Sequence, residues 1–208
     1  MLIGIMWTPV AKSQPIALVV GAASPLGSLA AEVLAEQGYF VGLCDLSSEA
    51  CARVEAALLA QGHAAQAFPA DPSKKLAFQT MLEHFLEQHQ RINLLLNASL
   101  VAPQTPFLET DEWDWRRALD LNLNSVFIAS QTVGRVFREL SAGRIINLLD
   151  EASPSTSYRT AAAAVEAFSD SLRAELRPLN VAVDCLSLPV EKEALSQRIL
   201  ALLQQPSP

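Results

Sequence analysis

Gly21, Gly27 and Asp45 are the first residues in this chain whose types and spacing could do chemistry. The two glycines, six residues apart, bracket the turn Gly21-Ala-Ala-Ser-Pro-Leu-Gly27. Glycines in such a turn let a backbone approach a pyrophosphate, and the start of a following helix offers free N–H groups and the positive end of its dipole. Asp45 ends the second apolar run, 39–44, where a carboxylate suits the two ribose hydroxyls of NAD. It would repel the extra phosphate of NADP, and no Arg or Lys stands nearby in the sequence to neutralise one. NAD is therefore the expected cofactor. The competing reading is plain turn chemistry: two glycines, Pro25 as the first residue of a helix, and Asp45 as the solvated cap of the next helix.

These residues need elements to hold them. Residues 16–20 are a continuous apolar run, and Leu26, Leu29, Ala30, Val33 and Leu34 recur at the spacing of one buried helix face. Strand, glycine turn, helix, strand and acidic tip make the opening half of a dinucleotide-binding βαβ unit. The alternation continues with helices at 47–61, 71–90, 110–140, 158–176 and 191–203. Strands are expected at 65–69, 92–97, 144–149 and 181–186. Asp71 reads as an N-cap with Pro72 at the first helical position, and Thr110 as the cap of the long helix. Trp113 and Trp115 are expected to pack that helix's first turn. The pattern implies an α/β, Rossmann-type doubly wound parallel sheet of about six strands in the order 3-2-1-4-5-6, with helices on both faces. A tail at 1–15 precedes one domain at 16–205.

Lys plus Arg number 15 and Asp plus Glu 22, a net charge of −7 without a basic patch, which argues against a nucleic-acid partner. Cys44, Cys51 and Cys185 form no C-x-x-C pair and read as buried reduced thiols, so no metal site is expected and the location is read as cytoplasmic. No apolar run reaches the ~18 residues of a membrane helix. The apolar start, residues 1–7, lacks a preceding positive charge and reads as a tail, a strap or an oligomer contact.

Several stretches carry a family resemblance when taken in order. Val20-Gly-Ala-Ala-Ser-Pro-Leu-Gly27 looks like a T-G-x-x-x-G-x-G cofactor turn. Leu96-Asn-Ala-Ser99 stands where N-N-A-G is expected, and Asn122-Leu-Asn-Ser-Val-Phe127 where N-L-x-G-x-F is. Gly143-Arg-Ile-Ile-Asn147 is similar to G-R-I-V-N, and 158–178 to an active-site helix beginning at a tyrosine. From residue 16 to about 189 the chain resembles the short-chain dehydrogenase/reductase family. The resemblance implies an NAD(H)-dependent oxidoreductase. It places Gly21, Ser24, Leu26, Gly27, Asp45, Asp71, Asn97 and Ala98 at the cofactor, Asp71 against the adenine. It puts Tyr158 at the general acid/base position and Asn122 on the proton path. It also implies a homodimer through helices 110–140 and 158–176.

The departures fall on the electrostatic groups. A tyrosine ionises near 10 and needs a cation one helical turn on to act near neutrality. The lysine position is Ala162, and Arg159 points about 100° away around the helix. The serine position aligns with Asp150, whose charge would raise the tyrosine's pKa. The loop between Asp150 and Tyr158 is several residues shorter than the family's, and the substrate-covering segment after Pro189 is missing. Three functions follow: an oxidoreductase with altered machinery using Tyr158 and Asp150 on an unidentified small molecule, an idle NAD-binding relative, and a scaffold subunit. Asn122 and Tyr158 each have a structural reading beside the chemical one, a helix-bending hydrogen bond for the first and an idle ring for the second.

Overall fold

A computed structural model describes residues 14–205. Six strands, β1 (Ile16–Val20), β2 (Phe40–Cys44), β3 (Ala65–Ala67), β4 (Leu94–Asn97), β5 (Gly143–Asp150) and β6 (Val181–Leu188), form one sheet in the order β3-β2-β1-β4-β5-β6. Every neighbouring pair is parallel. The order is the expected one. The expected tail, apart from Gln14 and Pro15, lies outside the described residues.

All five residues of β1 are buried because helices cover both faces of the sheet. Side chains alternate between two cores. Ala17 and Val19 join α1 (Pro25–Glu36), α2 (Ser48–Ala60) and α7 (Lys192–Leu203) on one face. Ile16, Leu18 and Val20 join α3 (Lys75–His89), α5 (Ser125–Leu140) and the C-terminal part of α6 (Thr156–Leu176) on the other. Lys192 ties α7 to α1 through Glu32 and Glu36, each at 2.9 Å. No described helix is long and apolar enough to cross a membrane.

Several local expectations are corrected. Asp71 does not cap α3: its carboxylate accepts from the Ser73 amide at 2.9 Å and the Ser73 hydroxyl at 2.6 Å, closing a turn one step earlier. The helix then begins at Lys75 without a side-chain cap. The helix expected at 110–140 is two helices. Asp111, not Thr110, caps α4 (Glu112–Leu119), and a π turn at Asp120–Asn124 separates it from α5. Trp113 is 64% exposed rather than packed, with the Arg117 guanidinium 5.3 Å from its ring. The three cysteines are free; Cys44 and Cys51 are buried, and Cys185 is partly so.

Candidate active and nucleotide site

The glycine turn leaves β1 and enters α1 with its own chain packed tightly around it. Gly21 has φ +79°, and a Cβ there would lie 2.5 Å from the Ser99 amide nitrogen. At Gly27 a Cβ would lie 2.0 Å from the Gly21 carbonyl oxygen. Both positions therefore exclude any side chain. The Gly21 and Ala22 amides donate to the Cys44 carbonyl at 2.9 and 3.1 Å, and the Ser24 amide to the Gly21 carbonyl at 3.0 Å. Ser24 caps α1: its hydroxyl accepts from the Gly27 amide at 2.9 Å and donates to the Ala98 carbonyl at 2.5 Å. Asp45 accepts from the Ala23 amide at 2.9 Å through Oδ2 and from the Ser47 amide at 3.1 Å through Oδ1. With Pro25 carrying no N–H, the Leu26 amide is the first-turn donor without a partner among the described residues.

A cleft of about 380 Å³ opens beside this turn, lined by Gly21, Ser24, Asp45, Pro72, Val101 and Arg117 among others. Of the residues expected at a cofactor, Gly21, Ser24 and Asp45 line it. Leu26, Gly27, Asn97, Ala98 and Asp71 do not; the Leu26, Asn97 and Ala98 side chains are buried. Asp71 is represented there by its neighbour Pro72. Arg117 was not legible as a site residue, and it places a cation on the same cleft as Asp45. The available signal was its spacing: Arg117 and Leu121, one helical turn apart, face one way and both line the cleft.

Deeper in the sheet, asparagines serve the structure. Asn97 Nδ2 donates to Asn147 Oδ1 at 2.8 Å, and Asn147 Nδ2 donates to the Ser169 hydroxyl at 2.8 Å, joining β4, β5 and α6. Asn122 sits inside the π turn and holds the backbone of Val101 from both sides. Its Oδ1 accepts from the Val101 amide at 2.8 Å, and its Nδ2 donates to the Val101 carbonyl at 2.7 Å. A π turn inserts one extra residue, which swings this side chain towards the loop after β4. Both of its polar ends are engaged in that clamp.

The opposite end of the sheet's C-terminal edge holds Tyr158, and it is closed. The tyrosine is 1% exposed, and its hydroxyl oxygen accepts from the Asp150 amide at 2.6 Å. Burial pushes its pKa up to about 12; the Asp150 hydrogen bond works against this, while the Asp150 and Cys185 charges add to it. Asp150 Oδ1 is itself tied to the Ala152 amide at 2.9 Å. The short loop draws the start of α6 against the end of β5, which is why the ring meets backbone there. Ser153, Ser155 and Ser157 are buried; the last two hydroxyls lie 3.2 Å apart and bond to each other. Ala162 packs beside Val126, Leu149 and Val165, an apolar patch where the resemblance expects an ammonium group. Tyr158 and Asp150 are thus brought together, while Asn122 is bound to Val101 instead.

The profile of the short chain dehydrogenase family matches residues 15–200. The short-chain reductase protein NovJ of Streptomyces niveus is 31% identical over 185 residues, covering 86% of this chain and 71% of its own. A metagenomic short-chain oxidoreductase solved with NADP superposes with a TM-score of 0.83 at 22% identity, covering 93% of this chain and 92% of that one. An NAD+-bound xylitol dehydrogenase superposes with a TM-score of 0.77 at 21% identity, covering 90% and 84%. The chain belongs to the short-chain dehydrogenase family. Its cofactors, NAD and NADP, share an adenosine diphosphate half and carry hydride on the nicotinamide half. The residues around Asp45 fit the first half: an acceptor for ribose hydroxyls and a cation line one cleft. The residues around Tyr158 do not fit the second, since the hydroxyl is buried on a backbone amide and no ammonium group lies one turn on.

Proposed function

We propose that this chain is a nucleotide-binding member of the short-chain dehydrogenase family that prefers NAD to NADP and does not perform the family's proton transfer. The observation that carries the reading is the Tyr158 hydroxyl. A tyrosine that exchanges a proton with substrate near neutrality needs an exposed hydroxyl and a lowered pKa. Here the hydroxyl is buried on the Asp150 amide, and its pKa moves the other way, to about 12. Asp45 supports NAD because its carboxylate repels a 2′-phosphate and accepts from a 2′-hydroxyl. The test is calorimetric titration with NADH and NADPH, followed by an assay of hydride transfer against a panel of small alcohols and carbonyls. NADH binding with NADPH weaker, and no turnover, is the expected outcome. Turnover abolished by Tyr158→Phe would overturn the reading.

For a partner we propose a second copy of the chain, packed through α4, α5 and α6. Phe127 on α5 is 46% exposed and meets Phe168 of α6 edge-on at 6.4 Å, leaving apolar surface on that helix pair. Light scattering on the purified chain is expected to give a dimer, and Phe127→Glu a monomer.

A further inference from the structure

We propose that the cleft beside Asp45 recognises an adenosine diphosphate group alone, so that the nicotinamide end of a dinucleotide adds nothing to binding. The proposal rests on the nucleotide-binding reading above and specifies its ligand chemistry.

The cleft measures about 380 Å³, near the lower end of the ~300–1,000 Å³ of small-molecule sites. Its walls come from the glycine turn, the end of β2, the segment before α3, the loop after β4, and α4 with the π turn that follows it. Asn122, Asp150, Tyr158 and Ala162 contribute nothing to them. The separation has a cause in the hydrogen bonds. Asn122 holds both backbone groups of Val101, which fixes the loop after β4 as a wall. On the far side Tyr158 is turned onto the Asp150 amide, and Ala162 completes an apolar patch.

The chemistry of the lining matches an adenosine diphosphate group part by part. Asp45 accepts one amide on each carboxylate oxygen and keeps further lone pairs for a ribose diol. Leu46, 42% exposed, and Pro72 offer apolar surface to a base. The diphosphate is the demanding part, because the turn has little to give it. The Gly21, Ala22, Ala23, Ser24 and Gly27 amides are all engaged within the chain, and Pro25 has none. Arg117, whose guanidinium lies 5.3 Å from the Trp113 ring, is the cation among the residues lining the cleft. Arg117 thus takes the charge-neutralising role in a turn that lacks its middle glycine.

The test is calorimetry on the full chain with ADP, ADP-ribose and NADH, and NADH emission recorded in the same titration. ADP-ribose and NADH are expected to bind within about threefold of each other, with NADH emission unchanged on binding. NADH binding tighter than ADP-ribose by more than about threefold, or with enhanced emission, would overturn the proposal and leave nucleotide binding standing. Absence of binding by all three ligands would overturn both. Arg117→Ala is expected to weaken ADP about tenfold and leave adenosine unchanged; equal ADP binding by the variant would remove Arg117 from the site.

Discussion

The two ends of the sheet's C-terminal edge treat their polar groups in opposite ways. Beside β2, Asp45 holds two amides and remains half-exposed on an open cleft that Arg117 also lines. Beside β5, Tyr158 and Asp150 are consumed by the backbone: the hydroxyl by the Asp150 amide, one carboxylate oxygen by the Ala152 amide. A site needs polar groups whose partners are absent until a ligand arrives. The first region meets that condition and the second does not. Under the function proposed above, the first region would be the family's binding half and the second its chemical half turned to structure.

Substitutions can break or sharpen this contrast. The largest effect is expected at Gly27→Ala, where the new Cβ would meet the Gly21 carbonyl oxygen at 2.0 Å and backbone must move. Stability is expected to fall by about 3 kcal/mol or more, read as a shift in the urea midpoint at unchanged slope. A variant that unfolds like the parent would show that the turn is not held as described.

Tyr158→Phe tests the closed region through pH. The folded protein holds the phenol's proton up to about 12, whereas the unfolded chain releases it near 10.0. This contribution is therefore complete below about pH 10 and is lost as pH rises through about 12, about 2–3 kcal/mol in all. Unfolding curves of parent and variant are expected to converge over that interval. Parallel curves would mean that the hydroxyl is already solvated in the native state.

Asp45→Ala reaches the open region. Nucleotide affinity is expected to drop by about 2 kcal/mol, roughly thirtyfold, through loss of charged acceptors. A smaller fall in stability should accompany it, from the Ala23 and Ser47 amides left without their acceptor. The smallest effect belongs to Ala162→Lys. Restoring the ammonium position is expected to yield no turnover, because Tyr158 remains on the Asp150 amide; measurable hydride transfer by this variant would show that the closure is shallow.

Sequence periodicity revealed the sheet because β1, β2 and β4 are near-continuous apolar runs, and the helix faces between strands repeat at helical spacing. The strand order followed from right-handed crossovers and the glycine-turn start. The break in the helix between Leu119 and Ser125 was not legible, since a π turn changes no residue type that punctuates a helix. Asp71-Pro72 looked like a helix start, yet Ser73 captured the aspartate two residues on. Motif register set Asp150 beside Tyr158, and the structure brings the two together. The fate of Tyr158 was not legible, because it depends on how a short loop lets α6 approach β5. Arg117 was missed for a similar reason: its helical spacing with Leu121 is a local signal, but that α4 lines the cleft depends on tertiary packing.

The most direct measurement is a tyrosinate titration. The chain has two tyrosines, so Tyr39→Phe leaves Tyr158 as the one reporter, with far-UV circular dichroism followed in parallel. Tyrosinate absorbance is expected to rise only near a pH of about 12, or together with loss of the fold. A midpoint at or below the ordinary 10.0 in the folded protein would contradict the closed tyrosine and return it to the family's chemistry.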